Sequence, residues 1–255
     1  MSNNVCENKE DCKAREEYNF CTVQPTFTVK DWSMVNPIMA DFVSATHTEP
    51  GCIYYGWTKD GDTLFCREAY KDGDAVNDHL ANVGDHIGEI LKHATLDSIS
   101  IHGPTEELEK CKPGTKDLGT KYFSVDSGFA HFDRSKDVGY DFCIIQPTFT
   151  VNDWSAVEPI MANFVSATRS EPDCVYYGWT RDGNTLCCRE AYKDGDAVNA
   201  HLDNVGGHIG EILKHADLVD ISIHGPTIEL EKCKPNTQEL GTKYFSVDSG
   251  FINIK

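Results

Sequence analysis

Basic residues are scarce in this 255-residue chain: 23 Lys and Arg stand against 41 Asp and Glu, a formal charge of −18. Such a surface repels phosphate backbones and anionic lipid heads, so nucleic acid is excluded as the expected partner. Long apolar runs are missing too. No stretch approaches the roughly 20 residues of a membrane helix, and residues 1–19 are polar and acidic rather than built around the apolar core of a signal peptide. The expectation is therefore a protein with no membrane partner, in the cytoplasm or another reducing compartment. No Gly-rich phosphate loop, Walker motif or Ser-His-Asp ordering is present, so nucleotide use is not expected.

The cysteines number eleven, an odd count without a CxxC pair or a zinc-like spacing. Cys21, Cys52 and Cys66 lie in apolar, strand-like runs, where a reduced thiol acts as a small buried hydrophobe. Disulfides or metal ligation are the alternative. Cys187-Cys188, where the first half of the chain has Phe65-Cys66, reads as a core change, because neighbours on a strand point oppositely and rarely bridge. Cys6 and Cys12, in the polar tail, could form a loop disulfide or stay free.

What the sequence does have is a duplication. Residues 20–129 recur as 142–251 at a constant offset of 122, without a gap and with 87 identities in 110 positions. A period this long exceeds that of solenoid units, so each copy is expected to be a small domain. The polar tail 1–19, the linker 130–141 and the end 252–255 complete the chain. The linker is charged and reads as solvated, flexible or loosely docked.

In the first copy, Phe20–Val29 reads as a strand. Asp31 is a plausible N-cap for a helix carrying Trp32, Val35, Ile38, Met39, Phe42 and Val43 at three- and four-residue spacing, with Pro37 expected to kink or restart it. Cys52–Thr58 and Thr63–Tyr70 flank an Asp60-Gly61 hairpin signal and should pair antiparallel. Asp74–Val83 and His86–Ala94 read as helices broken near Gly84, and Gly206 is expected to break the second copy likewise. Leu96–His102 reads as a fourth strand, Pro104–Cys111 as a short helix, and Tyr122–Val125 as a last short strand. This order predicts an α+β fold: two ferredoxin-like (βαββαβ) repeats packed as a single-chain dimeric α+β barrel, an intramolecular pseudo-dimer expected to be monomeric or a weak dimer.

Glu49-Pro50-Gly51-Cys52, then Arg67-Glu68-Ala69-Tyr70, then Asp74 through His79-Leu80, form an ordered set that copy two repeats with Glu171-Pro172-Asp173-Cys174 and His201-Leu202. This set resembles the antibiotic-biosynthesis monooxygenase (ABM) domain family of the dimeric α+β-barrel superfamily, over about 90 residues of each copy. The resemblance implies a small-molecule pocket between helices and sheet in each copy. It also implies chemistry on phenolic or quinol-type substrates without metal or flavin, so no cofactor is expected. The haem-degrading branch uses an Asn, a Trp and a His where this chain has Gln24, Tyr70 and, only with a gap, His86, which argues against haem degradation.

Histidine is the most suggestive distribution, since eight of ten fall at repeated positions: His79, His86, His93 and His102, with His201, His208, His215 and His224. Three of each set are spaced by seven, about 10.5 Å along a helix and too far to share a metal ion. The candidate catalytic residues are His79, His86, His201 and His208, each a possible proton acceptor for a phenolic hydroxyl or else a partly buried structural ring. Tyr55 and Trp57 should share a strand face, opposite Tyr54. The candidate substrate-binding residues are Gln24, Trp57 and Tyr70 with Gln146, Trp179 and Tyr192, although aromatics at strand spacing are more often core and the Gln amides could be satisfied internally. Glu68 and Glu190 are expected to pair with an Arg rather than to act as acid or base. The function expected is a cofactor-independent monooxygenase of a planar phenolic, quinol or polyketide-like small molecule. The alternatives are a non-catalytic small-molecule-binding or stress-response barrel and a structural interaction protein.

Overall fold

A computed structural model describes residues 17–132 and 140–253; Cys6, Cys12, most of the polar tail and most of the linker lie outside them. The first repeat runs β1 (Cys21–Val29), α1 (Trp32–Thr46), β2 (Cys52–Asp60), β3 (Thr63–Tyr70), α2 (Gly73–Asn82), α3 (Gly84–His93), β4 (Ala94–Gly103), α4 (Thr105–Thr115) and β5 (Lys121–Ala130). The second runs β6 (Cys143–Val151), α5 (Trp154–Thr168), β7 (Cys174–Asp182), β8 (Thr185–Tyr192), α6 (Gly195–Ile212), β9 (Ala216–Gly225), α7 (Thr227–Thr237) and β10 (Lys243–Ile252). No helix among the described residues is long and apolar enough to cross a membrane.

The strands close into one barrel in the order β1-β3-β2-β10-β9-β6-β8-β7-β5-β4. Each repeat therefore supplies five consecutive strands, and two seams, β5 against β7 and β10 against β2, join the halves. The last strand is ten residues long rather than a short addition, and it lies parallel to β4 in one repeat and β9 in the other, so the sheet is not purely antiparallel. Closure leaves no edge with unpaired backbone groups. A register shift marks each seam, at Val125/Ser127 and Val247/Ser249, next to Gly128 and Gly250. A Cβ at Gly128 would stand 2.5 Å from the Tyr177 carbonyl oxygen, and one at Gly250 2.5 Å from that of Tyr55 and 2.2 Å from the Tyr140 ring. Only glycine lets the seams close this tightly.

Strand alternation sorts the side chains into two layers. One face of each half meets the helices: Val23, Phe27, Tyr55, Trp57, Cys66 and Tyr70 pack with Val35, Met39, Phe42, Val76 and Ile90, and the second repeat mirrors them. The other face points into the barrel, where Phe20, Tyr54, Ala69, Phe142, Ile144 and Tyr176 meet around the two-fold relation between halves. There the Tyr54 and Tyr176 hydroxyls bond each other at 2.9 Å. His102 bonds Thr180 through Nδ1 at 2.8 Å, and His224 bonds Thr58 likewise, so each repeat anchors a ring in the other. Burial, reinforced by the nearby Arg side chains, holds both imidazoles well below their usual pKa, and as neutral rings they fit this interior.

Asp31 caps α1, its Oδ1 accepting from Ser33 N at 2.9 Å. Pro37 does not restart this helix. Pro37 and Ser33, whose carbonyl the proline leaves without a helical partner, are both exposed, so water can serve it. The break near Gly84 occurs in repeat one, at Val83 (φ −101°, ψ 8°), whereas α6 runs unbroken through Gly206-Gly207. Val83 and Val205 are both fully buried at these equivalent places, so burial does not account for the difference. The nine described cysteines are free and buried, Cys187 and Cys188 among them.

Candidate functional site

Two segments far apart in sequence converge on the helix face of each half. Asp72 caps α2, its Oδ1 accepting from Ala75 N at 2.8 Å, and so fixes the phase that turns His79 toward the sheet. On β3, Glu68 and Tyr70 are two residues apart and face the same helix. The turn before β2 brings in Glu49. His79 Nδ1 lies 3.1 Å from both Glu49 carboxylate oxygens, and Nε2 lies 3.3 Å from Glu68 Oε2, which also accepts from the Tyr70 hydroxyl. Asn82, one helical turn past His79, donates to Glu49 at 2.7 Å. The Tyr70 and Tyr55 rings flank the imidazole at 5.0 and 5.6 Å.

Repeat two reproduces the cluster. His201 Nδ1 is 3.1 Å from Glu171, Nε2 is 3.1 Å from Glu190, Tyr192 donates to Glu190 at 2.5 Å, and Asn204 donates to Glu171 at 2.7 Å. His201, with a carboxylate on each nitrogen, donates twice and is held as imidazolium. Burial works against that charge, but Glu190 and Glu171 outweigh it and push His201 up to about 9. Burial raises the Glu68 carboxyl, with His79 and Tyr70 pulling the other way. Burial and then Glu68 keep Tyr70 a neutral phenol, hence a donor. The expected Arg partner for Glu68 is replaced by His79 and Tyr70, because Arg67, the next residue, points into the barrel instead.

The structure thus brings His79, Tyr70 and Trp57 to one face, and His201, Tyr192 and Trp179 to its counterpart. It does not bring the other named residues there. His86 and His208, on α3 and α6, are half-buried against Phe42 and Phe164, at 5.4 Å between rings. Gln24 and Gln146 face the barrel interior, opposite Ser100 and Ser222 across the β1–β4 and β6–β9 pairs. Trp57 and Trp179 are 1% exposed, and neither indole Nε1 has a hydrogen-bond partner among the described residues. Sequence reasoning missed the roles of Glu49 and Asn82. The spacing of three from His79 to Asn82 was a usable signal, but Glu49 lies 30 positions from His79 and only the fold joins them. A surface groove of about 640 Å³ along the β5–β7 seam, with Lys112, Tyr122, Trp154 and Arg181 in its wall, shares none of these residues.

The fold and these clusters define a dimeric α+β barrel closed within one chain. No family model and no curated protein matches the sequence. Among solved structures it is similar to a "putative monooxygenase" of Fusobacterium nucleatum, at 18% identity and a TM-score of 0.57 over 80% of this chain and 90% of that one. A protein of the same description from Lactobacillus acidophilus gives 14% identity and a TM-score of 0.56 over 80% and 91%. MupZ from Pseudomonas fluorescens is 29% identical over 44% of this chain and 95% of its own, with a TM-score of 0.43. The first two matches are longer than one repeat, so they take in both halves of the barrel. What the chain shares with those two proteins is the fold, an α+β barrel.

Proposed function

We propose that the chain is a monooxygenase of a planar phenolic, quinol or polyketide-like small molecule, using no organic cofactor or metal, with one site on the helix face of each repeat. The observation that supports this reading is the buried Glu68–Tyr70–His79–Glu49 cluster: a carboxylate whose proton affinity burial has raised, held between a phenol donor and the His79 ring. The proton acceptor in this reading is Glu68 or Glu190 rather than the histidine, because both nitrogens of each ring already face a carboxylate. His79 and His201 orient the carboxylate, Tyr70 and Tyr192 orient the substrate oxygen, and Trp57 and Trp179 wall the site. The substrate anion supplies electrons to dioxygen, and a CH₂ carbon becomes C=O with release of one water, so the overall reaction balances.

The test is dioxygen uptake with a panel of anthrones, naphthols and quinols, comparing the wild type with the doubly substituted Glu68→Gln/Glu190→Gln protein. Loss of an acid–base group of this kind costs about 10²–10⁴ in rate. No uptake above the enzyme-free rate, or full activity in the double variant, would overturn it.

A second reading, non-catalytic binding or packing, is favoured by a specific observation: Tyr70 is 0% exposed and Tyr55 1%, so these rings fill the space between sheet and helices. Quenching of tryptophan fluorescence by the same panel without oxygen uptake would select binding.

A further inference from the structure

The barrel interior contains two buried arginines at equivalent positions, Arg67 on β3 and Arg189 on β8, and their surroundings differ. Every nitrogen of Arg67 has a partner. Its Nε donates to the Tyr140 hydroxyl at 3.2 Å, Nη2 to the Tyr140 carbonyl at 2.9 Å, and Nη1 to the carbonyls of Phe142 and His224 at 2.9 and 3.4 Å. The Tyr140 and Phe142 rings cover its faces at 4.5 and 4.6 Å. Arg189 is 3% exposed, yet its Nε and Nη2 have no hydrogen-bond partner among the described residues. Tyr18, the counterpart of Tyr140, does not reach it, and the Tyr18 hydroxyl is itself unpartnered.

Two further features sit beside Arg189, the second of them a difference between the halves. Gln146 lies directly across the β6–β8 pair, one step from the Ile145–Glu190 partners, so both side chains enter the barrel together, and its Nε2 is also an unpartnered buried donor. Two residues from Arg189 on the same face, Cys187 replaces Phe65, whose ring packs against His224 at 4.4 Å in the other half. The repeat-two end therefore has an unpartnered guanidinium edge, a converging amide donor and a smaller neighbour. A buried cation left without acceptors is costly, and the Nε–Nη2 edge is the fork that matches two oxygens of one planar anion.

We propose that the barrel interior holds a single binding site for a small planar oxyanion of the carboxylate type, made by the Nε–Nη2 edge of Arg189 with Gln146 and the Tyr18 hydroxyl as further donors. The site exists in repeat two alone, since in repeat one Tyr140 occupies the fork and Phe65 the adjoining space. An acidic protein would thereby carry one specific interior anion despite its surface charge.

The experiment uses the full chain and sodium formate as the probe, with sodium chloride at equal ionic strength as the comparison. Calorimetry and ¹³C-formate NMR are expected to give one saturable equivalent per chain and a melting temperature that rises with formate but not with chloride. Arg189→Lys keeps the charge and removes the fork, and should weaken formate at least about tenfold, the scale of one lost charge-assisted hydrogen bond. Cys187→Phe is the second variant, because the fold already houses that ring at Phe65, and it should also abolish binding should the Lys variant not fold. The proposal is overturned by no saturable formate binding, by two equivalents, or by unchanged affinity in Cys187→Phe. A crystal structure with Tyr18, a flipped Gln146 amide oxygen or water in the fork in place of formate would overturn it equally.

Discussion

Replacing His201 with glutamine should change the pH dependence of stability more than stability at any one pH. The folded pKa of about 9 stands above the ordinary unfolded value of about 6.5. A group raised in this way contributes stability that is complete below the unfolded value and is lost as pH climbs through the folded one. The gap corresponds to about 3 kcal/mol, present at pH 6 and mostly gone above pH 9. Glutamine has no such titration and also leaves Glu171 and Glu190 without a cation. Urea denaturation followed by tryptophan fluorescence, at intervals from pH 6 to 9.5, gives both profiles. Buried thiols also lose stability at high pH, but they do so in both proteins, so the difference between profiles isolates His201. The cost of His201→Gln is expected to be about 3 kcal/mol at pH 6 and to shrink steadily with rising pH. A cost that is the same at pH 6 and pH 9.5 would refute the imidazolium assignment.

Three other expectations concern the barrel and its helices. Tyr54→Phe leaves the Tyr176 hydroxyl unpaired in the core and should cost about 1–3 kcal/mol, while adding Tyr176→Phe should cost much less than a second such loss; additive effects in chemical denaturation would show that the pair is not coupled. Gly250→Ala places a methyl against Tyr55 and Tyr140 at a seam, and a loss of more than about 2 kcal/mol is expected; a neutral melting temperature would mean that the β10–β2 seam is looser than described. Asp153→Ala removes the α5 cap, whose Oδ1 accepts from Ser155 N at 3.0 Å, and should lower stability by about 1 kcal/mol, checked by denaturant midpoint against Ser155→Ala.

Much of the barrel was legible because two physical regularities were strong. The offset of 122 required both halves to share one set of elements, and strand alternation put Tyr54 and Tyr55 on opposite faces, where the structure has them. The seams were less legible. Ser-Val-Asp-Ser-Gly-Phe at 124–129 has weak apolar alternation, since β5 earns its length from pairing with β7 and not from its own pattern. Within the site, His79 and Tyr70 could be named from the helix and strand that carry them. Their partners could not be assigned, because side-chain pairing across 30 positions depends on the angle at which α2 crosses the sheet. Gln24 shows the reverse case: its polar strand face was readable, but whether that face met helices or the barrel interior depended on closure.

Fusing the two halves into one chain has an evolutionary consequence. In a barrel made from two identical chains, every substitution appears twice, and a change that helps one end is imposed on the other. Here Phe65 and Cys187 occupy equivalent places and differ, as do Thr22 and Ile144. One interior end can keep its stopper while the other drifts, so the duplicated gene can specialise a single chamber without dismantling the symmetric frame that supports both.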